Sequence, residues 1–269
     1  MLGSSRTSLR LLNEAVDASY GDPGLAAAGS DLLAVTDLLT REKSLRLALA
    51  DSGLKASYRK QMLHRLVASQ VSPLALSLAS IAVEQRWSSA ADLVDALEMA
   101  GASALIGEAE KTGTADRVAE ELFRFSRIVD ANGELQLTLS GSSMPLSGKQ
   151  AIVSELLDGK SDPVTARLAG FVVTHLRGRR IDEALTAMVE LAAVRRGELS
   201  ATVRVADRLD DDQQQRLQAA LTNLYGQTVQ LSIEVDPELI GGVSVQVGDE
   251  LIDGTIAHKI AQARRRLAG

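Results

Sequence analysis

Cysteine is absent from all 269 residues. Disulfides, thiol chemistry and cysteine-ligated zinc are therefore excluded. Aromatic residues are scarce, at 3% of the chain, although apolar residues together reach 45%. Leu and Ala dominate the apolar set, which favours close-packed helices over an aromatic-rich sandwich. No apolar run approaches a membrane span, which requires about 20 residues. The first residues, Met1-Leu-Gly-Ser-Ser-Arg6, lack the apolar core of a signal peptide. The expectation is a soluble, cytosolic protein, held at a membrane only through partners. Excess positive charge is also missing. A formal net charge of -6 argues against a general nucleic-acid binder, which needs cations to displace counterions. The three histidines, His64, His175 and His258, lie far apart without ligand spacing. Surface or capping roles are expected for them, since a metal site needs several converging ligands. No Ser/His/Asp order, metal set or dinucleotide fingerprint stands out. The chain is therefore expected to carry no catalytic, cofactor-binding or metal site.

What is present is an internal repeat. A shift of about ninety residues places Leu32, Val35, Leu38 and Leu39 on Leu122, Phe125, Ile128 and Val129. It also places Leu45, Leu47 and Leu49 on Leu135, Leu137 and Leu139, and Ser72-Pro73 on Asp162-Pro163. Leu78, Ala79 and Val83 fall on Leu168, Ala169 and Val173, and Gly107-Glu108 on Gly197-Glu198. The register is almost free of gaps and reads as a duplicated helical unit. In each copy a long amphipathic helix comes first; Val118, Leu122, Phe125 and Val129 form one 3.6-residue stripe. A short helix follows near residues 54–67 and 146–157. Ser72 or Asp162 then caps a third helix, with proline at its first position, where a missing N–H costs nothing. Ser89, with Asp92 three residues on, suggests a capping box for the fourth helix. Its counterpart runs from about Arg180 to Gly197. A single helix near residues 5–17 precedes the repeat, and Gly21-Asp-Pro-Gly24 reads as a loop. Whether the copies form one bundle or two is left open.

After Gly197 the period changes. Leu199, Ala201, Val203 and Val205 alternate as in a half-buried strand. Asp210, Asp211 and Asp212 open a helix carrying Leu217, Leu221 and Leu224; their carboxylates suit the positive end of its dipole. Gly226 stands where a left-handed C-cap is expected. Val229, Leu231, Ile233 and Val235 form one strand face, and Val243, Val245 and Val247 the next. A tight turn and a short strand follow, and a last helix carries Ile256, Ile260, Ala263 and Leu267, closed by Arg264, Arg265 and Arg266. The fold class is mainly α: an internally duplicated all-α helical region, then a small C-terminal α/β domain. The expected division is 1–113 for the first helix and first repeat, 114–198 for the second repeat, and 199–269 for the α/β domain.

Several motifs admit a sharper reading and a plainer one. Gly241-Gly242 precedes a valine strand instead of a helix, so a turn or bulge is favoured over a phosphate cradle. The three aspartates at 210–212 read as a solvated helix start more than as a cation site. Asp249, Glu250 and Asp253 read as turn chemistry. Arg177, Arg179 and Arg180, with Arg195 and Arg196, form the densest basic region: a solvated face, or an interface with an acidic partner. Trp87 is assigned to core or rim packing ahead of a binding hot spot.

The block Asp236, Leu239, Gly241, Gly242, Val243, Val245, Gly248, Asp249, Ile252, Asp253 and Gly254 resembles the C-terminal signature of the delta subunit of F-type ATP synthase, the family of the oligomycin-sensitivity-conferring protein. The resemblance is close over about residues 195–268 and looser in the helical region, where Arg6 matches an arginine of the family but Ser8 replaces a usual tyrosine. The doubled helical region is similar to the longer actinobacterial members. The resemblance implies a non-catalytic peripheral-stalk subunit of a proton-translocating ATP synthase, at the cytoplasmic face of the membrane. The helical region would hold the N-terminal segments of alpha subunits, and the C-terminal domain the end of the b-type stalk. A helical adaptor with an unrelated partner, and an enzyme with an unrecognised site in the bundle, are the alternatives.

Overall fold

A computed structural model describes residues 3–141, 143–195, 198–207, 209–225, 228–236, 239, 241–247 and 250–253. Eleven helices come first: α1 (Ser4–Ala18), α2 (Leu25–Arg41), α3 (Lys43–Ala50), α4 (Ala56–Val67), α5 (Pro73–Glu84), α6 (Ala90–Lys111), α7 (Ala115–Ala131), α8 (Gly133–Ser140), α9 (Leu146–Leu157), α10 (Pro163–Thr174) and α11 (Ile181–Arg195). The mainly helical fold expected from composition is what the chain adopts. The repeat is written into the helix limits. Helices α7, α8, α9 and α10 begin and end ninety residues after α2, α3, α4 and α5. The caps follow the sequence reading. Ser72 accepts from the Ala75 N–H, Asp162 from Val164 and Ser89 from Asp92. Pro73 and Pro163 open their helices. Ser89 makes only half of a capping box, because the Asp92 carboxylate is taken by the Ser5 hydroxyl at 2.6 Å.

Helices α3 and α8 depart from the pattern of the sequence. Leu45, Leu47 and Leu49 recur at every second position, a spacing that does not match a helix. In the helix Leu49 is buried, Leu45 packs against the core four residues away, and Leu47 faces outward. Leu135, Leu137 and Leu139 repeat this arrangement ninety residues on.

Residues Met1–Ala192 form one compact unit with two hydrophobic cores, one for each copy. Helix α6 supplies both. Leu93, Val94, Ala96, Leu97, Ala100 and Ala104 enter the first core. Ala102, Leu105, Ile106 and Ala109 enter the second. Such a helix, apolar on opposite sides, belongs inside a protein. The ninety-residue register explains it. The buried stripe of α1 (Ser8, Leu12, Val16) maps onto Glu98, Ala102 and Ile106 of α6. The stripe of α11 (Ala184, Leu185, Met188) maps, one residue further along, onto Leu93, Val94 and Leu97. Helix α6 is thus the last helix of the first copy and the first helix of the second. The leading helix near residues 5–17, read as standing outside the repeat, is α1 and belongs to it.

Helices α2 and α6 cross at glycine. A Cβ on Gly29 would lie 2.8 Å from Leu105 Cγ and 2.9 Å from the Gly101 carbonyl oxygen; one on Gly101 would lie 3.0 Å from the Gly29 oxygen. The contact places backbone against backbone, and Leu33 of α2 reaches past it into the second core.

The second unit, Ala193–Gly269, contains β1 (Glu198–Val205), α12 (Asp211–Tyr225), β2 (Thr228–Val235), β3 (Val243–Val247) and β4 (Glu250–Asp253). The strand order is β2-β1-β3-β4, with β1 parallel to β2 and antiparallel to β3. Ala201, Val203, Val205, Leu221, Val229, Val245 and Val247 form its core. Leu217 packs against that core, whereas Leu224, assigned above to the same helix face, is 65% exposed. Val235, at the last position of β2, is 51% exposed. Gly226 and the expected helix carrying Ile256 to Leu267 lie outside the described residues.

Gly29→Val forces a branched side chain into the α2–α6 crossing. Overpacking of this kind costs about 2–3 kcal/mol, so thermal unfolding should fall by several degrees. Gly133→Ala, where a Cβ meets nothing within 4 Å, should leave the transition unchanged.

Candidate interaction surfaces

The signature residues gather where β2 leads into β3. Because β3 lies on the opposite side of β1 from β2, the chain must pass across the end of β1. The Asp236 N–H donates to the Val205 carbonyl at 2.8 Å, and the Leu239 N–H to the Asp236 carbonyl at 3.1 Å. Gly241 and Gly242 follow at φ 147° and 88°, conformations that glycine adopts without a Cβ clash. Val243 and Val245 then run antiparallel to β1, with Ile252 opposite Val245 and Asp253 opposite Ser244. Gly248, Asp249 and Gly254 lie outside the described residues. The glycine pair is thus a crossover turn, with a strand and no helix start behind it.

Other candidates resolve into structural roles. Asp210 and Gln213 cap each other: the Gln213 N–H donates to Asp210 Oδ1 at 2.7 Å, and the Asp210 N–H to Gln213 Oε1 at 3.0 Å. His64 Nε2 lies 3.0 Å from Ser80 Oγ. His175 stacks on Phe171, and its Nδ1 lies 2.9 Å from the Phe171 carbonyl at the end of α10. His258 is outside the described residues. Trp87 is buried, and its indole N–H donates to the Ala82 carbonyl at 2.8 Å. Among the described residues no cluster of three or more His, Asp or Glu is arranged to hold a metal.

The basic region is corrected. Arg177 Nη2 lies 2.6 Å from Asp95 and pairs with Glu98, while Arg179 Nη2 donates to Glu98 Oε1 and Oε2 at 2.9 and 3.0 Å. Glu98 is fully buried in α6. These arginines are only partly exposed, and the acid they meet belongs to the same chain. Their acidic partner is the shared helix, so they tie the end of α10 to it. Arg180 is exposed and pairs with Asp182; Arg196 lies outside the described residues, as does the side chain of Arg195.

Sequence reasoning also missed how α5 and α10 are held. The Ser72 N–H donates to Asp31 Oδ2 at 2.7 Å. Ninety residues on, the Asp162 N–H donates to Glu121 Oε2 at 2.7 Å, and the Thr165 hydroxyl donates to the same oxygen at 2.7 Å. Each carboxylate thus sits at a helix N-terminus, where the dipole favours it. Burial pushes the Glu121 carboxyl up, but the Arg117 hydrogen bond, the Asp162 N–H and Thr165 outweigh this and hold it below the usual glutamate range. At the other end of α5, Arg59 is buried and donates to the carbonyls of Val83, Glu84 and Gln85 at 2.7–3.0 Å. The signal was available: an acid recurs at matching positions of α2 and α7, ninety residues apart.

A family model described as ATP synthase delta (OSCP) subunit matches residues 97–267. The ATP synthase subunit delta of Streptomyces coelicolor is 42% identical over 271 positions, spanning 100% of this chain and 98% of that protein. That of Thermobifida fusca is 41% identical over 269 positions, spanning 100% of both.

The chain belongs to the ATP synthase delta (OSCP) subunit family.

A chain in a cryo-EM structure of the Toxoplasma gondii mitochondrial ATP synthase hexamer has the same fold over part of this one. The TM-score is 0.50 at 18% identity, covering 62% of this chain and 95% of that one. The family match begins inside α6. Of the two copies it is therefore the second, started by the shared helix, that aligns with the family pattern, together with the small domain.

Two substitutions test the charged contacts. Glu98→Ala leaves Arg177 and Arg179 facing an empty, buried position. The cost should be about 3 kcal/mol in chemical denaturation. Glu121→Gln should cost about 1–2 kcal/mol at neutral pH. Because the folded carboxyl titrates below its unfolded value, its contribution is complete above the ordinary glutamate range and lost as pH falls through the folded pKa. The gap between Glu121→Gln and the native chain should close on acidification; a gap independent of pH would refute the assignment.

Proposed function

We propose that this chain is a passive stator link of a proton-translocating F-type ATP synthase. In this role the helical unit holds N-terminal segments of alpha subunits on the catalytic head. The small domain grips the C-terminal end of the b-type stalk. The subunit is non-catalytic. Among the described residues no helix is long and apolar enough to cross a membrane. Attachment at the cytoplasmic membrane face would then run through the partners alone.

The observation that carries this reading is similarity along the whole chain to delta subunits, at about 41% identity. The geometry supports it. The charged groups with clear tasks cap helices or tie the copies together, as a joint requires. Outward apolar residues recur in register: Leu47 with Leu137, and Leu66 with Leu156. In the small domain, Leu224 and Val235 stand exposed at the ends of α12 and β2. Apolar side chains of this kind can receive an amphipathic helix laid into a groove.

Affinity capture of the tagged full-length chain from native membranes should recover alpha and b-type subunits together. Leu224→Asp with Val235→Lys should weaken b-type recovery about tenfold and leave alpha recovery intact. Capture of neither subunit by the native chain would defeat the stator reading.

A further inference from the structure

A cavity of about 480 Å³ opens where the two copies meet, and three arginines line it: Arg46 from the first copy, Arg177 and Arg179 from the second. Leu47 and Val94 form its apolar side. The arginines are incompletely used. Arg46 Nη1 donates to the Leu39 and Thr40 carbonyls at the end of α2, at 2.9 and 3.0 Å. Arg177 and Arg179 reach Glu98 through Nη2, and Arg177 Nη2 also reaches Asp95. Each guanidinium has donors to spare. Among the described residues Arg46 Nη2 and Arg179 Nη1 meet no acceptor, and Arg177 Nη1 is buried without one. A buried donor left unpaired is uncommon and calls for a cause. The backbone gives a second sign. Arg177 has φ 52°, the one positive value at a non-glycine among the described residues. Strain of this kind gathers at ligand clamps.

Packing alone leaves these features unaccounted for. Ninety residues beyond Arg46 stands Gln136, and ninety beyond Asp95 and Glu98 stand Leu185 and Met188. The second copy folds on the same plan without the charges. We propose that the cavity binds a small organic anion, a single carboxylate on an apolar body. The charge balance selects the head group. Three guanidinium groups stand against two carboxylates, Asp95 and Glu98, which leaves one positive charge to match. A phosphate monoester brings about −1.5 to −2 at neutral pH and overfills the site. One carboxylate matches it and accepts two parallel N–H bonds from an arginine fork. The volume selects the body. A bare anion leaves most of the cavity empty, whereas an apolar chain also covers Leu47, which is otherwise 52% exposed. The bound anion joins α3, α6 and the turn between α10 and α11, so it braces the junction between the copies. The site stands independently of the stator reading.

Octanoate is the probe, titrated calorimetrically into the full-length chain in phosphate-free buffer of low ionic strength. Octanol, with the body but no charge, and inorganic phosphate, with the charge but no body, are titrated beside it. One octanoate should bind per chain, at least tenfold more tightly than either control. At a hundred times its Kd it should raise the midpoint of thermal unfolding by several degrees. Ala91→Glu sets an acid at the exposed rim of the cavity. It truncates no side chain, and an acid in the first turn of α6 suits the dipole, so its unfolding without ligand should match the native chain. The Kd for octanoate should rise at least tenfold in this variant and in Arg46→Gln. No saturable octanoate binding by the native chain, or equal binding by the native chain and Ala91→Glu, would overturn the site. Octanol binding as tightly as octanoate would remove the anion, and phosphate binding more tightly than octanoate would remove the carboxylate; either result overturns the assignment.

Discussion

One helix with two apolar sides constrains everything around it. Helix α6 gives Leu93, Leu97 and Ala100 to one core and Ala102, Ile106 and Ala109 to the other. Each buried leucine or isoleucine contributes about 2 kcal/mol of hydrophobic stabilisation. Neither copy can complete its core without this element. The glycine crossing with α2 and the buried Glu98, with its two arginines, follow from the same sharing. Both bring parts of different copies onto opposite flanks of one rod. A buried acid facing arginines is weak evidence of net stability, since desolvation offsets the attraction. Its geometry nevertheless selects one arrangement, because any other leaves charges buried without partners.

A delta-family subunit has no chemistry to perform, and the polar groups reflect that. Asp31 and Glu121 hold helix N-termini; Arg59 closes a helix C-terminus. Oppositely charged ends suit the macrodipole of α5. The same groups keep neighbouring helices from sliding, since each links a side chain on one helix to the backbone of another. Stiffness therefore comes from many short, oriented contacts in addition to apolar area.

Most of the helical architecture was legible because duplication supplied its own control. Two stretches of unlike sequence that keep the same apolar positions, caps and prolines must share a structure, and α2–α5 and α7–α10 agree residue for residue in their limits. The strands and glycine turn of the second unit were legible from alternation and from the need for positive φ. What escaped detection was set by tertiary contact. Leu45, Leu47 and Leu49 carry a two-residue period, yet α3 is helical because Leu45 and Leu49 share a helix face against the core. The double use of α6 weakens its own signal, since two opposed stripes blur each other's period. Arg177 and Arg179 looked like surface because their acid lies some eighty residues earlier. Leu224 looked like core because periodicity cannot tell where a sheet stops supporting its helix. The signature residues were recognised as a block, but the reason for the glycines, a crossing over the end of β1, required the strand order.

Sharing α6 has a consequence for the history of the gene. Two modules joined by a linker can be separated again by one deletion, and either half survives. Here the splice fell inside a common part. Excising the first copy would strip the second of its opening helix or leave that helix with a bare greasy flank, and excising the second would expose the other flank. Removing either copy therefore uncovers apolar surface on a helix that the other copy still needs.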